Sequence, residues 1–317
     1  MPAIPSDSAP SIVSLGEPLY EFSQLPDSPK NFLQGFGGDT MNAVVAAARL
    51  GARTAYVTRL GDDEFGRQFL DLWREEGIDA SGVGIDPDTH TAVYFITHTP
   101  KGHVFSYLRQ GSAASRMRPA DLPRDLIAGA RIFHTSGITQ AISASACDSV
   151  FAAIELAKAA GAKFFYDSNL RLRLWPLARA RAVIGATIAL SDVFIPSYED
   201  LQTLTGSSDP RQLVDWCHRQ GAKQVALKLG PAGVLASDGQ RVEKVAGCTV
   251  KSVDATGAGD CFAGALMART IQGDDFFSAI RFANAAAALA TTGFGAVAPL
   301  PNSDAVLGLL DLQANAR

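Results

Sequence analysis

The stretch Asp254–Leu266, DATGAGDCFAGAL, sets Gly257, Gly259 and Gly264 around a second aspartate, Asp260, ahead of an apolar run. Glycine lets backbone N–H groups approach a ligand closely, and a helix N-terminus favours negative charge. In one reading, Asp260 only complements the dipole of the first helical turn. In the other, the amides form an anion hole and Asp260 takes the proton of an attacking hydroxyl, the arrangement that phosphoryl transfer requires. The run is not a dinucleotide fingerprint, because the glycine after Gly257 and Gly259 is Gly264; it is not a Walker loop, because no Lys-Ser or Lys-Thr follows. Cys261 reads as a small apolar residue of the first turn rather than a nucleophile.

Outward from this stretch, the chain alternates between strand and helix patterns. SIVSLG, TAYVTRLG, RIFHTSG, KFFYDSN, VFIPS and QVALKLG are short apolar runs that read as buried strands. DTMNAVVAAARLG, DEFGRQFLDLWREEGI, SACDSVFAAIELAKAAG and DDFFSAIRFANAAAALATTG read as helices, with Phe65, Phe69, Leu72 and Trp73 at helical spacing in the second. If CTVKSV is also a short strand, the opening stretch lies at a strand-to-helix loop, where open α/β sheets bind ligands. One segment breaks the rhythm. TAVYFITHTPKGHVFSYLR, Thr91–Arg109, is β-branched and aromatic on both sides of a turn signal, and so predicts a hairpin. With PLYEFSQL and NFLQGFGG it makes a small sheet standing off the body. The expected architecture is a single α/β domain over 11–317 after a loose tail at 1–10. It has a mainly parallel sheet covered on both faces and a β lid from about 17–37 and 90–112.

Composition narrows the function classes. The chain has 317 residues, of which 47% are hydrophobic and 19% charged, as a globular protein requires. Its net charge is −4 with no block of like charge, so no nucleic-acid surface is expected. Cys147, Cys217, Cys248 and Cys261 are scattered and read as reduced thiols of a cytoplasmic protein. The N-terminus lacks a basic region followed by an apolar run, and no apolar run is long enough for a bilayer; neither a signal peptide nor a membrane span is expected.

Taken together, DATGAGDCFAGAL, GGDTMNAVVAAARLG and GDDEFG resemble the paired signatures of the ribokinase-like carbohydrate kinases of pfkB type, in the expected order and across nearly the whole chain after residue 10. The resemblance implies a three-layer α/β/α domain with a β lid. It makes Asp260 the catalytic base and Gly257, Ala258 and Gly259 the anion hole for the transferred phosphoryl group. Gly38, Asp39 and Asn42 become sugar-binding residues: the glycine permits close approach, and the other two can hydrogen-bond hydroxyls. Without the resemblance, Asp39 reads equally as a helix cap.

FSYLRQGSAAS, with GGDTMN and DSNLRLRLW, resembles the 2-keto-3-deoxygluconate kinase branch. Tyr107 and Arg109 match its Y-x-R substrate motif, and Tyr94 lies where a further substrate tyrosine is expected. Arg109 offers a planar fork suited to a carboxylate; alone, it would read as a surface arginine. Fructokinases share most of the other motifs. A non-catalytic sugar or nucleotide sensor on the same fold is the reading from another class.

By the same resemblance, Asn169 and Arg171 lie near the nucleotide phosphates and the sugar. Lys228, Gly230 and Gly233 of KLGPAG belong to the nucleotide segment, and Asn284 lies near adenine. ATP and magnesium are the implied cofactors. A monovalent cation such as potassium is implied near Asp254, Thr256 and the TTGFGAV loop, and a homo-oligomer is implied as well. One departure stands out: where many relatives carry N-x-x-E, this chain has SYED, so Ser197 and Asp200 also fit a helix start with a capping serine.

Overall fold

Ile12–Leu15 is buried at every position, as a strand covered on both faces must be. It is an interior strand, third from one edge, of the larger of two sheets in the computed structural model, which describes residues 10–25, 28–99 and 102–315. In chain order the strands are β1 (Ile12–Leu15), β2 (Leu19–Leu25), β3 (Ser28–Gly37), β4 (Thr54–Gly61), β5 (Val83–Asp86), β6 (Val93–Thr99) and β7 (Gly102–Leu108). They continue with β8 (Ile132–Ser136), β9 (Lys163–Asp167), β10 (Val193–Phe194), β11 (Gln224–Lys228), β12 (Val234–Ser237) and β13 (Val242–Val245).

The larger sheet runs β13-β12-β11-β10-β9-β8-β1-β4-β5. Its pairs are parallel from β11 to β5, and β12 and β13 close one edge as an antiparallel hairpin. Parallel strands need crossovers, and the helices that supply them cover both faces. Two apolar clusters result: one contains Trp73, Phe69 and Phe262 and the other Phe133, Phe164 and Phe194. Phe69 and Trp73, two of the helically spaced aromatics, are fully buried.

The smaller sheet has the order β3-β2-β6-β7, with β2 and β6 parallel and the outer pairs antiparallel. The expected hairpin is β6–β7; Pro100 and Lys101 of its turn lie outside the described residues, as do residues 1–9 of the tail. Phe22 stacks on Phe95 at 5.2 Å, and Tyr20 meets Phe65 at 4.8 Å, tying this sheet to the helix Glu64–Glu75.

One expectation needs correction. CTVKSV is not a strand: Cys248–Val253 is irregular. The N–H groups of Val253 and Asp254 donate to the Thr291 carbonyl at the end of the helix Phe276–Ala290, not to a strand neighbour. Among the described residues no helix is long and apolar enough to cross a membrane. Cys147, Cys217 and Cys261 are buried free thiols, and Cys248 is half-buried.

The helices of the two signature stretches, Asp39–Arg49 and Ala258–Gln272, pack face to face. The contact requires Gly264, where a Cβ would lie 2.2 Å from the Ala43 carbonyl oxygen and 2.8 Å from the Ala46 Cβ. Gly264→Val should therefore destabilise the fold by about 1–3 kcal/mol or more, since backbone cannot yield as a side-chain tip can. Urea unfolding measures this; an unchanged midpoint would show that the helices are not held this closely.

Candidate active site

A cavity of about 910 Å³ opens beside the carboxyl ends of β9–β11, between the larger sheet and the smaller one. Gly38, Asp39, Asn42, Tyr94, Tyr107, Arg109, Asn169, Arg171, Lys228, Gly230, Gly233, Thr256, Gly257, Ala258, Gly259, Asp260 and Asn284 all line it. Residues expected from stretches far apart in the sequence therefore converge on one space. Asp254 is not among the lining residues but accepts from the hydroxyl of Thr256, which is.

Asp260 lies in the first turn of Ala258–Gln272, whose N-cap is Gly257 at φ 76°. At Gly257 a Cβ would meet the Ala296 carbonyl at 2.9 Å, so both conformation and crowding call for glycine there. With no capping side chain, first-turn N–H groups remain for an anion. Ala258 contributes less than expected, because its N–H donates to the Ala255 carbonyl at 3.2 Å. Asn42 Nδ2 donates to Asp260 Oδ2 at 2.8 Å, and Asn169 Nδ2 donates to Asp39 Oδ2 at 2.8 Å. Asp39 Oδ1 and Asn42 Oδ1 are buried with no partner among the described residues. Buried polar atoms left unpaired beside a cavity suit a ligand bearing hydroxyl groups.

The alternative roles now separate. Asp39 does not cap its helix: Gly38 is the N-cap, at φ 111°, and Asp39 is the first helical residue. A Cβ on Gly38 would lie 2.4 Å from the Glu17 carbonyl oxygen. Burial, then the charges of Asp39 and Asp167, push Asp260 up to about 8, against the Asn42 hydrogen bond and Lys228. Lys228 Nζ donates to Asp167 Oδ2 at 2.6 Å, and its ammonium would lie 3.3 Å from a Cβ on Gly259. Burial also raises the Asp167 carboxyl, against the pull of Lys228.

On the smaller sheet, Tyr94 and Tyr107 are register partners whose rings stack at 5.8 Å. The Tyr94 hydroxyl donates to Glu21, which is buried. Arg109 follows the end of β7 and holds its guanidinium 5.4 Å from the Tyr107 ring centre. It forms an ion pair with Glu17, which also accepts from Ser112 Oγ at 3.0 Å. Arg171 is exposed and donates to the Leu170 carbonyl at 2.9 Å.

Other expected residues take structural parts as well. Ser197 caps the helix Tyr198–Thr205, accepting from the Asp200 N–H at 3.1 Å. The Asp200 carboxylate does not return the bond; it accepts from Ser168 Oγ at 2.7 Å and the Leu170 N–H at 3.0 Å. Asp254 accepts from the N–H and hydroxyl of Thr256 and from the N–H of Gly295, joining the two loops that the expected monovalent cation would join. Asn284 Nδ2 donates to the Ala246 carbonyl at 2.9 Å. At Gly233, φ 94° and a Cβ position 2.1 Å from the Val245 carbonyl demand glycine.

Glu17, Asp167 and His134 were not singled out by sequence reasoning. Each had a faint signal: Glu17 and Asp167 lie just beyond or at the carboxyl end of an apolar strand, and His134 is a polar residue in the middle of one. His134 is buried with Nδ1 2.8 Å from Ser14 Oγ, and burial pushes its imidazole down to about 3, leaving it neutral.

A family model described as pfkB family carbohydrate kinase matches residues 9–303. The chain belongs to the pfkB family of carbohydrate kinases. Its fold is ribokinase-like, as the paired signatures implied. Fructokinase-2 of Solanum habrochaites is 35% identical over 322 residues, covering 96% of this chain and 97% of its own. The 2-dehydro-3-deoxygluconokinase of Thermoproteus tenax is 34% identical over 296 residues, covering 90% and 89%. Fructokinase from Vibrio cholerae O395, solved with fructose, ADP and calcium, superposes with a TM-score of 0.85 at 30% identity, over 95% of this chain and 99% of that one. The chain is thus a sugar kinase by family, with relatives named for both a neutral ketose and a sugar acid.

The raised Asp260 pKa has a consequence for stability. The folded protein holds that proton up to about pH 8, whereas the unfolded chain releases it near the usual aspartate value of about 4. Folding is therefore progressively disfavoured as pH rises between those two values. Asp260→Asn, neutral at every pH, should raise Tm above wild type at pH 9, with a smaller gap at pH 5. A gap of equal size at both pH values, by calorimetry, would contradict the shifted carboxyl.

Proposed function

We propose that the protein phosphorylates 2-keto-3-deoxy-D-gluconate at its C6 hydroxyl, using ATP and giving 2-keto-3-deoxy-6-phosphogluconate. The observation that carries this reading is one cavity holding Asp260 with its raised pKa at a helix N-terminus together with Tyr94, Tyr107, Arg109 and Arg171. In its ionised form, the minor one at neutral pH, Asp260 takes the hydroxyl proton as the bond to phosphorus forms; Asn42 holds the carboxylate in place for that transfer. Gly257 leaves the helix start open, and the Gly259 region with Lys228 faces the transferring charge. Asp39 and Asn42 receive sugar hydroxyls through their unpartnered oxygens. Tyr107 and Arg109 bracket the acid end, with Arg171 as the exposed cation beside it.

Asn284, Gly230 and Gly233 border the part of the cavity suited to the nucleotide. The side chains fit magnesium as an ion held mainly by the phosphates of ATP and by water: Glu199 and Asp200 border the cavity, and no three His, Cys, Asp or Glu side chains converge on a metal position among the described residues. Bound in that way, the metal would offset phosphate charge. The smaller sheet, which contributes Tyr94 and Tyr107, acts as a lid that limits transfer to water.

Fructose is the second reading, and one observation favours it: Glu17 already balances the Arg109 charge. Coupled ADP release with magnesium-ATP against sugar acids and neutral sugars decides between them. The proposed activity requires 2-keto-3-deoxygluconate to give the highest kcat/KM. Preferential turnover of fructose overturns the sugar-acid assignment, and binding without phosphorylation makes the protein a sensor. Asp260→Asn should lower kcat by about 10²–10⁴-fold, the range for loss of a general base, with sugar binding still measurable. Near-wild-type turnover would remove Asp260 from that role.

A further inference from the structure

Glu17 sits between β1 and β2, where the chain leaves the larger sheet for the smaller one, and its side chain is 0% exposed. A carboxylate withdrawn this far from water persists as a charge only when partners compensate it. Its partners are Arg109, through a charge-assisted bond, and Ser112 Oγ. The arginine is 11% exposed and lines the sugar end of the cavity against Tyr107; its buried Nε has no partner among the described residues. One side of the guanidinium is therefore spent on Glu17 while the rest remains at the cavity wall. The same carboxylate repels any second carboxylate that approaches Arg109.

We propose that Glu17 is a positioning and specificity-determining residue: it fixes the Arg109 guanidinium against Tyr107 and offsets its charge, so that the site discriminates only shallowly between sugar acids and neutral ketoses. The inference rests on the sugar-kinase reading above.

Glu17→Gln keeps an oxygen that can accept from Arg109 and removes the negative charge. The ratio of kcat/KM for 2-keto-3-deoxygluconate to that for fructose should rise at least about fivefold, mainly through a lower KM for the acid, with the KM for ATP unchanged. An unchanged ratio, or a parallel loss for both sugars, overturns the proposal and leaves Glu17 a purely structural residue. Should Glu17→Gln fail to fold, the ratio is compared between Arg109→Lys, which keeps a cation beside Glu17, and Arg109→Lys/Glu17→Gln. There the added Glu17 change should again raise it, and equal ratios overturn the proposal. The ratio is defined whichever sugar the wild-type protein prefers, and Kd values from calorimetry supply it if neither is phosphorylated. A wild-type preference for fructose therefore refutes the sugar-acid assignment alone, while the response of the ratio to Glu17 is read separately.

Discussion

Gly264 lets two helices touch, and the rest of the site depends on that contact. Its missing side chain admits the backbone of Ala43 and the methyl of Ala46, so Ala258–Gln272 lies directly against Asp39–Arg49. Close packing there brings the starts of both helices to the same wall of the cavity. Only then can Asn42, one turn into the first helix, reach Asp260, one turn into the second, at 2.8 Å. Hydrogen bonding, electrostatics and the proposed proton transfer all follow from this approach of two backbones.

Helix N-termini favour negative charge, which explains why an aspartate can stand at the start of each. Bringing the two starts together sets Asp39 and Asp260 against each other, with Asp167 near and Lys228 as a partial counterweight. The outcome is a carboxyl whose affinity for protons lies close to physiological pH, a value suited to a general base. Backbone strain gathers at the same place. Asn169 is the non-glycine residue with positive φ among the described residues, at 31°, and its side chain holds Asp39. A strained residue held by its surroundings at a ligand cavity is a common feature of functional sites.

Much of this was legible in the sequence, and the limits have physical causes. Short apolar strands alternating with alanine-rich helices specify a parallel sheet, and a β-branched hairpin interrupting that rhythm marks the smaller sheet. The glycines of DATGAGD and GGD mark places where backbone must come close. Charge pairing was not legible. Nothing local to FSYLRQGS shows that Arg109 meets Glu17, because the partner is supplied by the turn after β1, and the two meet only when both sheets are assembled. CTVKSV failed as a strand for a similar reason: its β-branched residues fit an extended chain, yet its last residues bond to the end of the helix Phe276–Ala290 rather than to the edge strand β13. Asp39 as a cap was a sound local reading, displaced by a tertiary partner in Asn169.

The central claim is that juxtaposed helix starts give Asp260 an elevated pKa. It is tested most directly by following the Asp260 carboxyl carbon through a pH titration by NMR, in the wild type and in Asp39→Asn. The Asp260 signal should titrate near pH 8 in the wild-type protein and at clearly lower pH when the Asp39 charge is removed. Titration near the ordinary aspartate value of about 4 in both proteins would contradict the account.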